Sequence, residues 1–159
     1  MAELRYRRDE DQAERYDRHW NELLQELRIA QTGVQILFAF LLTIAFTTPF
    51  RDDSDEFTHD VFAVTIVLAA LSMALLIAPV SFHRVVYKKK LRDRMIPMAS
   101  KMTAGGLFFL MLAVCGGLLL ALDVVLVRWL AITVASVALL WFVTFWYVIP
   151  GRVRAGGRS

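Results

Sequence analysis

Four long apolar blocks, at approximately 29–49, 61–80, 102–122 and 127–149, constrain this chain more tightly than any motif it carries. Each holds about 20 residues or more, and at 1.5 Å per residue a helix of that length matches a hydrocarbon core of roughly 30 Å. Lipid offers backbone amides no partner, so a segment that crosses does so as a helix whose hydrogen bonds are internal. A soluble fold of 159 residues would scatter its apolar side chains in amphipathic periods. Here 57% of the residues are hydrophobic, above the roughly 45–50% of globular domains, and the excess sits in the blocks. The pattern predicts an all-α fold, a four-helix transmembrane bundle forming a single membrane domain over 1–159. The first block is too long, and lies behind 28 mostly polar residues, to be a cleavable signal peptide, so it is expected to stay in the mature protein.

Basic residues set the expected orientation. Arg5, Arg7, Arg8, Arg15 and Arg18 precede the first block. Arg84, Lys88, Lys89, Lys90, Arg92, Arg94 and Lys101 lie between the second and third, and Arg152, Arg154 and Arg158 occupy the basic tail, 150–159. The other two connectors hold one each, Arg51 and Arg128. The positive-inside rule then puts both termini and the middle connector in the cytoplasm of a multi-pass inner (plasma) membrane protein. Aromatic anchors agree: Trp129 opens the fourth block and Trp146 with Tyr147 closes it, about 27 Å away along a helix. Trp20 sits just before the first span. The N-terminal stretch pairs Glu3 with Arg7, Arg5 with Asp9, Asp11 with Arg15 and Glu14 with Arg18 at i,i+4 spacing, so 1–28 reads as a charged cytoplasmic helix leading into span one.

Between helices in lipid, small residues allow close approach. Ala70, Ala74 and Ala78 on span two, and Ala113, Gly117 and Ala121 on span three, recur every fourth residue and are expected to form an antiparallel seam, unless they only reflect the abundance of small residues in membrane helices. Gly105 and Gly106 are weak helix formers that would loosen the start of span three. Pro79 and Pro97 should set where the helices beside the middle connector stop.

The most suggestive constellation lies on the first half of span one. At 100° per residue Gln25, Arg28, Thr32 and Gln35 share one face with Asn21, and Gln31 lies close beside them. Gln35 comes seven residues after Arg28, about 10 Å further into the hydrocarbon. Amides without partners are costly there, so this polar intramembrane face should meet the bundle, a water cavity or a second subunit. Polar glue between helices, a path for a solute or ion, and contact with a protein or lipid headgroup all remain open for it.

The middle connector combines its seven basic residues with Phe82, Val85, Val86, Leu91 and Met95, a composition suited to an anionic leaflet as well as to fixing topology. Arg84, Lys88, Lys89, Lys90, Arg92 and Arg94 are the expected lipid-headgroup contacts. Asp123 and Arg128 bracket a short turn and are expected to pair across it. Asp52, Asp53, Asp55, Glu56, His59 and Asp60 crowd the connector 51–60, but the spacing lacks the glycine turn and distal glutamate of an EF-hand, so no metal is expected. A solvated loop is the plainer reading, with Thr58 or Asp60 capping span two. Cys115 is the only cysteine, which excludes a disulfide framework and Cys/His zinc spacing. No nucleophile motif, phosphate loop, HExxH or paired catalytic carboxylate is present, so neither an enzyme nor a bound cofactor is expected. The middles of the four blocks hold no Asp, Glu, Lys, Arg or His, where an ion-coupled carrier would keep a group that changes protonation.

The segment NELLQELRIAQTGVQILFAFLLTIAF, from Asn21 to Phe46, resembles a domain-of-unknown-function family of small actinobacterial membrane proteins. The likeness continues through Thr58-His59-Asp60, through Pro79-Val80 to His83-Arg84 and through the basic connector, to about Gly151. The resemblance implies a four-helix membrane protein with no established activity. Some members of that family carry a sodium:proton antiporter label, which the lack of a mid-span carboxylate here does not favour. The family-like core coincides with Gln25, Arg28, Gln31, Thr32 and Gln35. The expected function is that of a non-catalytic membrane protein, self-associating or accessory to a larger membrane complex, with membrane lipids, anionic ones above all, and a second copy or another membrane protein as partners rather than nucleic acid. A small dimeric ion or solute transporter is the first alternative, and an anionic-lipid-interacting protein the second.

Overall fold

The computed structural model describes residues 2–86 and 92–156, with side chains described at 18, 22, 24–52, 54–81 and 98–156. Among them the chain is helical almost throughout: α1 (Ala2–Ala45), α2 (Thr48–Asp53), α3 (Glu56–Val86), α4 (Arg92–Val125) and α5 (Arg128–Val143), then a π-helical turn (Thr144–Val148) and α6 (Ile149–Gly156). Four stretches are long and apolar enough to cross a membrane, Leu24–Ala45, Glu56–Ser81, Met98–Val125 and Arg128–Gly156.

Proline chemistry explains the helix ends, though not as the sequence suggested. Pro49 has no N–H to give the Ala45 carbonyl, and α1 closes ahead of it with Phe46 and Thr47 amides turned back to Thr43 and Ile44, at 3.2 and 3.0 Å. The first membrane helix thus ends at Ala45, inside the 29–49 block, and Pro49 starts α2 instead. Pro79 does not stop a helix: it lies inside α3, which runs on to Val86. Pro97 likewise falls within α4. Membrane helices tolerate internal prolines, and the carbonyl that Pro79 leaves without its helical amide is that of Leu75, four residues back. The Gln31 side-chain amide of α1 donates to the Leu76 carbonyl at 2.8 Å, three residues before Pro79. Between α5 and α6, the π turn precedes Pro150, and its wider bonding, with the Ile149 amide on the Thr144 carbonyl, relieves the crowding a proline ring imposes on the preceding turn.

The core is a three-helix one, made by α1, α3 and α4, with α5 lying against α4. Leu27, Val34 and Leu41 recur every seventh residue on α1 and are buried, and they cluster with Ala69 and Leu76 of α3 and Leu110, Ala113 and Leu120 of α4. The tightest seam joins α3 to α4, but on a different face of α3 from the one expected. Thr65, Ala69, Ser72, Leu76 and Pro79 are buried, whereas Ala70 and Ala74 point outward. Ala70 follows Ala69 by about 100° of helical rotation, which is enough to leave the interface. On α4 Ala113 is buried and Ala121 exposed. Gly106 and Gly116, not a regular every-fourth row, let the helices touch: a Cβ at Gly106 would lie 2.8 Å from the Leu76 side chain, and one at Gly116 would lie 2.2 Å from Thr65 Oγ1. Ser72 Oγ donates to the Gly106 carbonyl at 2.8 Å across the same seam. Gly105 and Gly106 therefore sit inside a continuous helix at a packing contact, and the start of span three is not loosened.

α5 contributes little to the core. Ala131 and Ala135 meet the bundle, while Val137, Leu140 and Trp141 are at least half exposed. Such an apolar surface is stable only against acyl chains or another protein.

Candidate functional site

The polar residues of α1 divide into one that faces inward and several that do not. Gln31 is half-buried and held by Leu76 of α3. Gln25, Arg28, Thr32 and Gln35 are exposed on the side of α1 turned away from Leu27, Val34 and Leu41. Thr32 satisfies its own hydroxyl on the Arg28 carbonyl at 2.9 Å. The side chains of Gln25, Arg28 and Gln35 make no hydrogen bond to any described residue. With Thr32 they are spaced three, four and three residues apart, and the pattern continues through exposed Ala39 and Leu42, so a second heptad row runs along the outer side of α1. Gln35 lies about 16 Å along the helix from Leu24, near the middle of the stretch Leu24–Ala45.

A second cluster forms at the opposite end of the helices. Arg128 Nη1 meets Asp55 Oδ2 at 2.6 Å. Its Nε and Nη2 hold both Asp123 oxygens at 3.1 Å, the bidentate geometry that fixes a guanidinium. The Asp123–Arg128 pair was legible from the short turn; the third member, Asp55, was not. Asp55 rather than Thr58 or Asp60 caps α3, since its Oδ1 accepts the Thr58 amide at 3.0 Å and the Thr58 hydroxyl at 2.7 Å. The cap-to-third-residue spacing of Asp55 and Thr58 was the available signal. Thr58 also reaches Asp123 Oδ2 at 3.2 Å, and Phe57 lies under the guanidinium, 4.5 Å from ring centre to Cζ. The hydrogen bond from Arg128, with those from Thr58 added, holds the Asp55 carboxyl well below the usual carboxylate range. The cluster ties the α2–α3 turn to the α4–α5 turn. It is internally satisfied, and no group of three or more potential metal ligands occurs among the described residues.

In the basic connector, Lys88, Lys89 and Lys90 lie outside the described residues, and so do the side chains of Arg84, Arg92 and Arg94.

The match to the Family of unknown function (DUF6328) extends over residues 9–150, which takes in α1 from its second turn, both turns at the Arg128 end and all of α5. The chain belongs to the DUF6328 family. No curated protein and no solved structure matches it. In this DUF6328 chain the matched region contains both clusters, the outward amides of α1 and the Asp55, Asp123 and Arg128 network.

Proposed function

We propose that this DUF6328 protein is a non-catalytic integral protein of the inner membrane, with both termini cytoplasmic, that works as a self-associated assembly joined through α1. One observation carries the reading: Gln35 stands mid-way along an apolar helix, exposed, with no partner among the described residues. Hydrocarbon cannot satisfy an amide that carries two donors and an acceptor. A second copy in the same membrane, related by a two-fold axis along the bilayer normal, brings a parallel α1 with its own Gln35 at the same depth. An amide is self-complementary, so two such groups satisfy each other. The heptad spacing of Gln25, Arg28, Thr32, Gln35, Ala39 and Leu42 supplies the packing for a left-handed pair.

A carrier is less well supported, since the middles of the four spans hold no Asp, Glu, Lys, Arg or His. Native mass spectrometry of the protein in mild detergent tests the proposal. Wild type should appear as a dimer, and Gln35→Leu should weaken it about three- to twentyfold, the range given by membrane hydrogen bonds of about 0.6 to 1.7 kcal/mol. A monomeric wild type, or a hetero-complex in which this chain occurs once, contradicts self-association.

A further inference from the structure

Where α1 and α4 separate toward the Arg128 end, they leave a cavity of about 640 Å³, partly open to the side and roofed by α2. Its floor is the approach of Leu37 to Gly117, where a Cβ would stand 3.2 Å from Leu37 Cδ1. From there the walls are apolar, Phe40, Leu41 and Ile44 on one side and Val114 to Val124 on the other. Exposed Phe40 and Val124 flank the opening, so it gives onto the space the bilayer fills. The lining turns polar only at the top, with Thr47, Ser54 and Thr58.

We infer that this cleft is a lipid-binding site that takes one acyl chain of a phospholipid from the leaflet on the Arg128 side, with the ester region at Ser54. An apolar cavity of this size does not fill stably with water, and left empty it would forfeit packing on every wall. Val114 to Val124 spans about 15 Å of helix, the depth of one leaflet in a hydrocarbon core of roughly 30 Å. The chain and the polarity gradient therefore run in the same direction. Among the hydroxyls at the mouth, Thr47 donates to the Ile44 carbonyl and Thr58 to Asp55 and Asp123. Ser54 is half-buried and bonded to no described residue, which leaves its hydroxyl for an ester carbonyl. Arg128 is already matched by Asp55 and Asp123 and is not left to anchor a headgroup. The inference requires the helices to lie in a bilayer but not the α1 dimer, because the cleft and the outward amides occupy roughly opposite sides of α1.

Electron spin resonance of phosphatidylcholine nitroxide-labelled on one acyl chain, in vesicles carrying the full-length protein, tests it. Wild type should show a motionally restricted population larger, by one chain per protein, than that of Ala121→Phe, which fills the cleft from an exposed lining position. Ala70→Phe, on the outer face of α3, should match wild type. If Ala121→Phe melts below wild type by circular dichroism, Val124→Trp at the mouth replaces it, with the same loss expected. Equal restricted populations in wild type and the folded cleft variant would overturn the site. Restriction of a labelled free fatty acid but not of the phospholipid would overturn the assignment to a leaflet lipid. Loss of the dimer in Gln35→Leu with the restricted chain retained would separate this site from the self-association reading.

Discussion

At the scale of single residues, two contacts decide how α3 is held. Thr65 is buried and β-branched, with its hydroxyl on the Val61 carbonyl at 2.6 Å, so it cannot rotate away from a new methyl group at Gly116. Gly116→Ala should therefore destabilise the protein by about 1 to 3 kcal/mol, the usual range for overpacking. Gly33→Ala, with open space around it, should not. Thermal unfolding in one detergent compares them. The second contact is Gln31 on the Leu76 carbonyl. Gln31→Leu should cost about 0.6 to 1.7 kcal/mol, the range of measured hydrogen bonds between membrane helices. Melting free energies in one detergent read the cost; an unchanged melt would show that this bond does not hold α3.

At the scale of elements, the four spans were legible because hydrophobic length is a one-dimensional property, summed along the chain without knowledge of neighbours. Which face of each helix turns inward is not such a property. Ala70 and Ala69 differ by one position and by nothing in composition, and only the antiparallel register against Gly106 and Gly116 selects the second. The prolines misled for a related reason: whether Pro79 ends α3 depends on the packing around it, and Pro79 is fully buried inside that helix. The polar stripe was visible as a stripe, yet sequence spacing could not say that Gln31 alone would turn inward. The element that holds the Arg128 end together is the turn network, and it has a pH signature. The folded-state acidity of Asp55 is shifted downward, so its stabilising contribution is complete above the unfolded value near 3.9 and is lost as pH falls below it toward the folded value. Hydrogen exchange of residues 48–57 should accelerate as pH drops below about 4, beyond the intrinsic rate change. Asp55→Asn should show fast exchange already at pH 7 and no such transition.

At the scale of the whole molecule, a three-helix core with α5 set to one side leaves two surfaces whose partners must come from outside the chain: the apolar flank of α5, which acyl chains satisfy, and the amide-bearing flank of α1, which they cannot. On the proposed reading, that distinction is why α1 rather than α5 is the helix through which copies associate. The proposed orientation rests on the sequence distribution of Lys and Arg, since all but Arg51 and Arg128 of the 18 fall in the segments the positive-inside rule assigns to the cytoplasm or at their boundary. A cysteine introduced at Ser54 should accordingly react with an impermeant reagent on intact cells, in a Cys115→Ser background. Reaction only after the inner face is opened would invert the topology. Cysteine cross-linking along α1 in native membranes tests self-association through this helix, with single cysteines placed in that background from Gln25 to Ala45. The account predicts disulfide dimers with heptad periodicity, strongest at Thr32, Gln35 and Ala39 and weak at Ile36 and Phe40. Cross-linking that peaks at Ile36 and Phe40, or is absent along α1 while α5 cysteines form dimers, would contradict it.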